Sequence, residues 1–359
     1  MRKLFIALAA SAAAIVASSA ALAQDKTKAC FIYVGPIGDF GWSYQHHQGA
    51  LEMQKNLGGE DKVEIAYLES VPEGADAERA IERFARSGCN IIFTTSFGYM
   101  DATNVVAAKF PDVKFEHATG FKRETPNVST YNSKFHEGRY VQGVIAAKLS
   151  KTGTAGYIAS FPIPEVVMGI NAFVLGAQSV NPDFKVKVVW AYTWFDPGKE
   201  GDAAKALLDQ GVDIITQHTD STAPIQVAAE RGILAFGQAS DMIKFGEKTQ
   251  LTSIVDDWGP YYTKRVKALM DGNYEQIDIW GGMKEGHVVM APYTNMPDDV
   301  KKVAEETEAR IKSGEFNPFT GPIKKQDGSE WLAEGATAPD GELLGLNFYV
   351  QGVDDQLPK

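Results

Sequence analysis

The chain has 359 residues, 44% of them hydrophobic, and a formal net charge of -11. Its Lys and Arg residues are scattered among acids rather than gathered in a stripe, which excludes nucleic acid as a partner, because neutralising phosphates takes clustered cations. The length suits two domains of about 150 residues each.

Residues 1–23 read as an export signal. Arg2 and Lys3 precede an apolar run over 4–16, and Ala21-Leu22-Ala23 forms a small-residue cleavage site before Gln24. The run is shorter than the roughly 20 residues a membrane span requires. No cysteine follows the cleavage site, so no lipid anchor is expected there. The mature protein is expected in a bacterial periplasm as a monomer.

The first element of the mature chain is an apolar run at 29–34, too short for a helix and rich in β-formers. Gly35, Pro36 and Gly38 make a turn, and Asp39 opens a helix that sets Trp42, Ala50, Leu51 and Leu57 on one side. Strands follow at 62–68, 89–95, 113–117 and 128–131, alternating with helices at 74–87, 100–110 and 138–149. The rhythm restarts after Lys151-Thr152-Gly153, with strands at 154–159, 185–192, 212–216 and 233–236 and helices at 164–181, 199–210 and 223–231. A strand at 252–255, a helix at 258–270, a strand at 287–291 and a helix at 298–313 follow. The tail from Gly314 reads as loops and a hairpin, with alternating residues over 346–353. Strands separated by helices of this length make βαβ units and parallel sheets. The fold class is therefore α/β, with two doubly wound lobes. The expected division is 24–149 plus 256–278 for the first lobe, and 150–255 plus 279–359 for the second.

Cys30 and Cys89 are the only cysteines, each at the start of a predicted strand. If those strands are parallel neighbours, an exported protein can bond the two thiols; two buried free thiols are the alternative.

In open α/β sheets, ligands sit beyond the carboxyl ends of the strands. Here those ends carry Trp42 and Ser43, Phe97 with Asp101, Phe161, Trp194 to Asp196, Gln217 to Asp220, Gln238 to Asp241, and Asp256 to Trp258. Aromatic tips facing one cleft suit a stacked flat ring. Asp39 and Asp196 serve equally well as helix caps. No nucleophile elbow, zinc-helix pair or phosphate loop is present, and Gly35, Gly38 and Gly41 lack dinucleotide spacing. Adjacent His46 and His47 point different ways on a helix and are not expected to ligate a metal. Neither an enzyme nor a cofactor is expected.

Several motifs resemble the basic membrane protein family of substrate-binding proteins for ABC transporters, whose founding ligands are purine nucleosides. They are Asp39-Phe40-Gly41-Trp42, Phe97 to Ala102, His136-Glu137-Gly138 with Gly143, Asn181-Pro182, and Trp194-Phe195-Asp196 with Lys199. Gly211-Val212-Asp213, Thr252-Ser253 and Lys284-Glu285-Gly286 complete the set. The resemblance implies a type I periplasmic binding protein, two lobes joined by three crossings, working with an inner-membrane permease. It also implies that Trp42 and Trp194 sandwich a purine, that Ser43 stands in for an asparagine, and that Asp101 bonds the base. Ala239 replaces an acid and Asp256 a lysine, both associated with ribose. The expected ligand is therefore a free purine base such as adenine, its edge read by Asp101, His218, Gln238 or Asp256, with a nucleoside as the alternative. An enzyme or a sensor on the same scaffold is the reading from another class.

Overall fold

The computed structural model describes residues 26–358; the export signal expected over 1–23 lies outside them. In chain order the first lobe begins β1 (Thr27–Tyr33), α1 (Trp42–Asn56), β2 (Val63–Leu68), α2 (Ala75–Arg86), β3 (Ile91–Thr95), α3 (Met100–Lys109), β4 (Lys114–Ala118) and β5 (Val128–Ser133). The chain continues through α4 (Phe135–Leu149), β6 (Thr154–Ala159), α5 (Pro164–Gln178), β7 (Lys185–Trp190), α6 (Pro197–Asp209), β8 (Ile214–His218), α7 (Ala223–Arg231), β9 (Leu234–Gly237) and β10 (Gln250–Asp256). Then come α8 (Gly259–Met270), β11 (Asp278–Gly281), β12 (Val288–Met290), α9 (Asp298–Ser313), β13 (Ile323–Lys324), β14 (Glu330–Leu332) and α10 (Asp340–Leu343).

Two six-stranded sheets result, in the orders β11-β5-β4-β3-β1-β2 and β12-β10-β9-β8-β6-β7. All the pairings are parallel except β10 with β12. Central β1 is covered on both faces, and its alternation shows how. Ala29, Phe31 and Tyr33 join Ala50, Met53 and Tyr262 of α1 and α8. Cys30 and Ile32 join Ala77, Ile81 and Val106 of α2 and α3. Strand β6 repeats the pattern in the second lobe, where Ile158 packs with Leu207 and Ile225 of α6 and α7. A strand buried on both faces reads as a continuous apolar run, as residues 29–34 do.

The chain passes between the sheets three times: at Lys134, between Asp256 and Gly259, and between Gly281 and Val288. Two of these passages differ from expectation. Helix α4 lies on the second sheet, so the first lobe ends near Ser133 rather than at 149. Gly143 faces the Phe173 carbonyl and Gly176 the Tyr140 carbonyl, so closely that a Cβ at either would overlap it. The Arg139 guanidinium of α4 also donates to the Gln217 carbonyl of β8 at 2.7 Å. Strand β11 adds to the edge of the first sheet beside β5, so that lobe regains the chain through Gly281 rather than 278.

Helix α8 is pinned to the first lobe by a buried charge pair. Arg265 Nε donates to Glu116 at 2.6 Å, and the Tyr261 and Tyr274 hydroxyls complete that carboxylate at 2.6 Å each. Cys30 and Cys89 are disulfide-bonded, with Cα atoms 6.0 Å apart, because β1 and β3 are parallel neighbours. The tail hairpin is β13–β14, not residues 346–353. That last segment lies beside β7, where Val186 N–H donates to the Gly352 carbonyl at 2.9 Å.

Candidate functional site

A narrow cleft opens where the carboxyl ends of the two sheets face each other. The first lobe lines it with Val34, Trp42, Ser96, Phe97 and Thr119, the second with Glu165, Trp194, His218, Asp220 and Gln238.

Trp42 is a rigid wall. The Asp39 carboxylate caps α1 by accepting from the backbone N–H groups of Gly41, Ser43 and Tyr44 at 2.8, 3.0 and 2.9 Å. This fixes the first turn, on which Trp42 sits. The indole N–H donates to the Thr95 carbonyl at 2.7 Å, and the ring packs edge-on against His46 and Trp258. Burial lifts the Asp39 carboxyl to about 6 against the pull of those three donors.

Trp194 lines the cleft from the second lobe and is held differently. It lies in the loop between β7 and α6, half-buried, with its ring 5.1 Å from that of Phe161. Its N–H reaches across to Glu73 of the first lobe at 3.2 Å. Glu73 also accepts from the Ser96 hydroxyl at 2.5 Å and from Gly98 N–H at 3.1 Å. This wall is complete only while the lobes are together. Asp196 caps α6 through Lys199 N–H at 3.1 Å, the role weighed for it beside binding.

The polar side of the site gathers several carboxyls around one guanidinium. Arg139 is buried and donates to Gln142 (3.0 Å), Thr216 (3.1 Å), the Gln217 carbonyl and the Gln238 side chain. Gln238 is therefore oriented with its carbonyl oxygen engaged. Glu165, in the first turn of α5, accepts from Asn132 at 3.1 Å and stands 3.6 Å from His218 Nε2. Burial lowers the His218 imidazole below its ordinary value, against the pull of Glu165. Asp220 and Asp256 are buried, and burial together with neighbouring carboxyls pushes both well above the usual carboxylate range. Asp220 Oδ2, both Asp256 oxygens and His218 Nδ1 have no hydrogen-bond partner within the protein. A buried polar atom left unpaired costs about 1–3 kcal/mol, so Asp220 and His218, which line the cleft, call for hydrogen-bonding groups from a guest. Among the described residues no group of three His, Cys, Asp or Glu side chains is placed to hold a metal ion.

Of the eight ligand-binding residues expected from sequence, Trp42, Phe97, Trp194, His218 and Gln238 line this cleft. Three stand elsewhere. Ser43 is buried and accepts from Gly35 N–H at 3.0 Å, supporting the turn after β1. Asp101 is on the outer side of α3, 78% exposed and ion-paired with Lys122 at 2.5 Å, because its helix turns it away from the cleft. Asp256 is fully buried and is not among the lining residues. Glu165 and Asp220 complete the cleft. Asp220 belongs to a strand-end group visible in the sequence; Glu165 shows only as an acid in a helix's first turn, an ordinary place for one.

Residues 26–318 match the family model described as ABC transporter substrate-binding protein, PnrA-like. The chain belongs to that family. It is 69% identical over 350 residues to a purine-binding protein of Brucella abortus (strain 2308), covering 98% of this chain and 99% of that one. It is 35% identical to a Haloferax volcanii protein provisionally named a glucose-binding protein of an ABC transporter, covering 93% and 82% of the two chains. A solved structure of an ABC transporter solute-binding protein from Aeropyrum pernix K1 superposes with a TM-score of 0.69 at 20% identity, covering 88% and 97%. The family member described here thus has the two-lobed fold of type I solute-binding proteins.

Proposed function

We propose that this substrate-binding protein captures a purine, a free base such as adenine, between Trp42 and Trp194 in the periplasm and delivers it to an inner-membrane ABC importer. One observation carries the reading: indoles from opposite lobes line one cleft beside Asp220, whose buried carboxyl has an oxygen to spare. The ring faces would hold a flat heterocycle, with aromatic pairs contributing about 0.5–1.5 kcal/mol each beyond area burial. Asp220, His218, Glu165 and Gln238 would read its amino and ring-nitrogen edge. The name of the 69% identical Brucella abortus relative supports a purine. Base over nucleoside is supported by Ala239, which has no polar side chain, and by Asp256, which is buried and does not line the cleft. Neither offers the ribose contact expected of the family at its position. With no nucleophile–base pair assigned, binding without turnover is the reading.

The test is a thermal-shift screen of protein unfolded, stripped of ligand and refolded, against adenine, guanine, adenosine, guanosine and glucose. A ligand at 100 times its dissociation constant adds about 2.7 kcal/mol, which raises the melting temperature visibly. A shift with adenine but not adenosine supports the reading. A shift with adenosine alone returns ribose to the site. A shift with glucose alone replaces the purine by a sugar.

A further inference from the structure

Outside the cleft, one contact between the lobes is built from a residue that neither the aromatic walls nor the polar side uses. Phe40 precedes α1 in the first lobe, in a backbone conformation (φ 60°) that a bulky side chain rarely adopts. Its ring projects onto the second lobe. The Lys244 ammonium lies 3.4 Å from the ring centre, and the Phe245 ring packs edge-on at 5.0 Å. Its carbonyl accepts from the Ser240 hydroxyl. The next residue, Gly41, lies so close to the backbone of Asp220 that a side chain there would collide with it. None of Phe40, Ser240, Lys244 and Phe245 lines the cleft.

We propose that Phe40 is a latch, a positioning residue that docks on Lys244, Phe245 and Ser240 when the lobes close and so sets the population of the closed state. Strained φ angles persist where surroundings over-determine them, and here half of those surroundings belong to the other lobe. A cation over a ring and an edge-on aromatic pair are favourable only in the closed arrangement. A ligand that binds the closed state gains apparent affinity in proportion to how much of that state exists. The latch therefore scales affinity for every ligand alike and leaves selectivity to the cleft.

Phe40→Ala tests this, with Lys244→Ala, at an exposed position, as the milder variant. The ligand arm rests on the purine reading and uses adenine and adenosine as probes; the ligand-free arm does not. Phe40→Ala is expected to weaken adenine binding about tenfold, to weaken any adenosine binding by the same factor, and to leave the ratio of the two affinities unchanged. Small-angle scattering of the ligand-free variant is expected to give a larger radius of gyration, with the melting temperature held. Lys244→Ala should move the same quantities less. Unchanged adenine affinity overturns the latch, as does a shift of more than about threefold in the adenine-to-adenosine ratio, which would place Phe40 at the ligand. If adenine binds neither protein, the purine reading fails by itself. The latch is then judged on scattering, and an unmoved radius of gyration overturns it.

Discussion

Trp194 is the better test of the proposed stacking site, because Trp42 doubles as core. Trp42 is 9% exposed and packed against His46, Trp258 and Phe135, so truncating it would destabilise the first lobe by about 3–5 kcal/mol and obscure its part in binding. Trp194 is half-buried on a loop, and its contacts in the closed form are separable. Trp194→Phe keeps a ring face and loses the bond from the indole N–H to Glu73, a partly exposed pair worth about 1 kcal/mol. Trp194→Ala loses the ring as well, adding about 0.5–1.5 kcal/mol of stacking to the area term. The sum is on the order of 2–3 kcal/mol, or roughly 30- to 140-fold in the dissociation constant, against about fivefold for Phe. Titration calorimetry of ligand-stripped protein with adenine measures both. If Trp194→Ala binds adenine as the wild type does, the wall is not part of the site. If Phe is as weak as Ala, the bond to Glu73 rather than the ring face carries the affinity.

Two further outcomes concern stability. The Cys30–Cys89 bond closes a loop of 59 residues, for which the chain-entropy relation gives about 4 kcal/mol. Urea unfolding of a Cys30→Ala/Cys89→Ala double variant should show most of that loss, and denatured wild type without reductant should give no thiol titre. Two free thiols would refute the bond. His136 is buried against Trp280 and Phe319 at 5.5 and 5.4 Å, and burial holds its imidazole down at about 3. Below the unfolded value of about 6.5 the unfolded chain takes up a proton that the folded chain refuses, so stability falls as pH drops from about 6.5 towards 3. At about pH 5 this amounts to roughly 2 kcal/mol. Asp39 and Glu137, both lifted to about 6 by burial, act with the opposite sign between about pH 4 and 6, so the difference between wild type and His136→Phe is the quantity to follow. Wild-type stability minus that of the variant should fall as pH drops below 6.5. A constant difference would mean that His136 takes up its proton in the folded state as well.

Much of the cleft lining was legible because its determinants are local. A glycine turn after an apolar run places Trp42, and the same grammar places Phe97, Trp194, His218 and Gln238 at later strand ends. Asp101 shows where that grammar stops. It is the second residue of a helix after a strand end, and a rotation of that helix decides whether its carboxyl meets a ligand or Lys122. Motif resemblance put it at the base, whereas the packing of α3 turned it to solvent. Asp220 looked no different in sequence from its neighbours Gln217 and Thr219.

The sequence by itself determined the two series of βα units, the cleft at their carboxyl ends and the aromatic character of its walls, because these follow from periodicities of two and 3.6 residues and from turn chemistry within a few residues. Only the tertiary structure decided that α4 rides on the second sheet, that β11 completes the first, that Glu165 and Asp220 line the cleft and that Phe40 spans the lobes. An amphipathic pattern states that a face is buried but not against what. A carboxyl is unpaired, or a ring docked, only with respect to residues that can lie 200 or more positions away, as Ser240 and Phe245 do from Phe40.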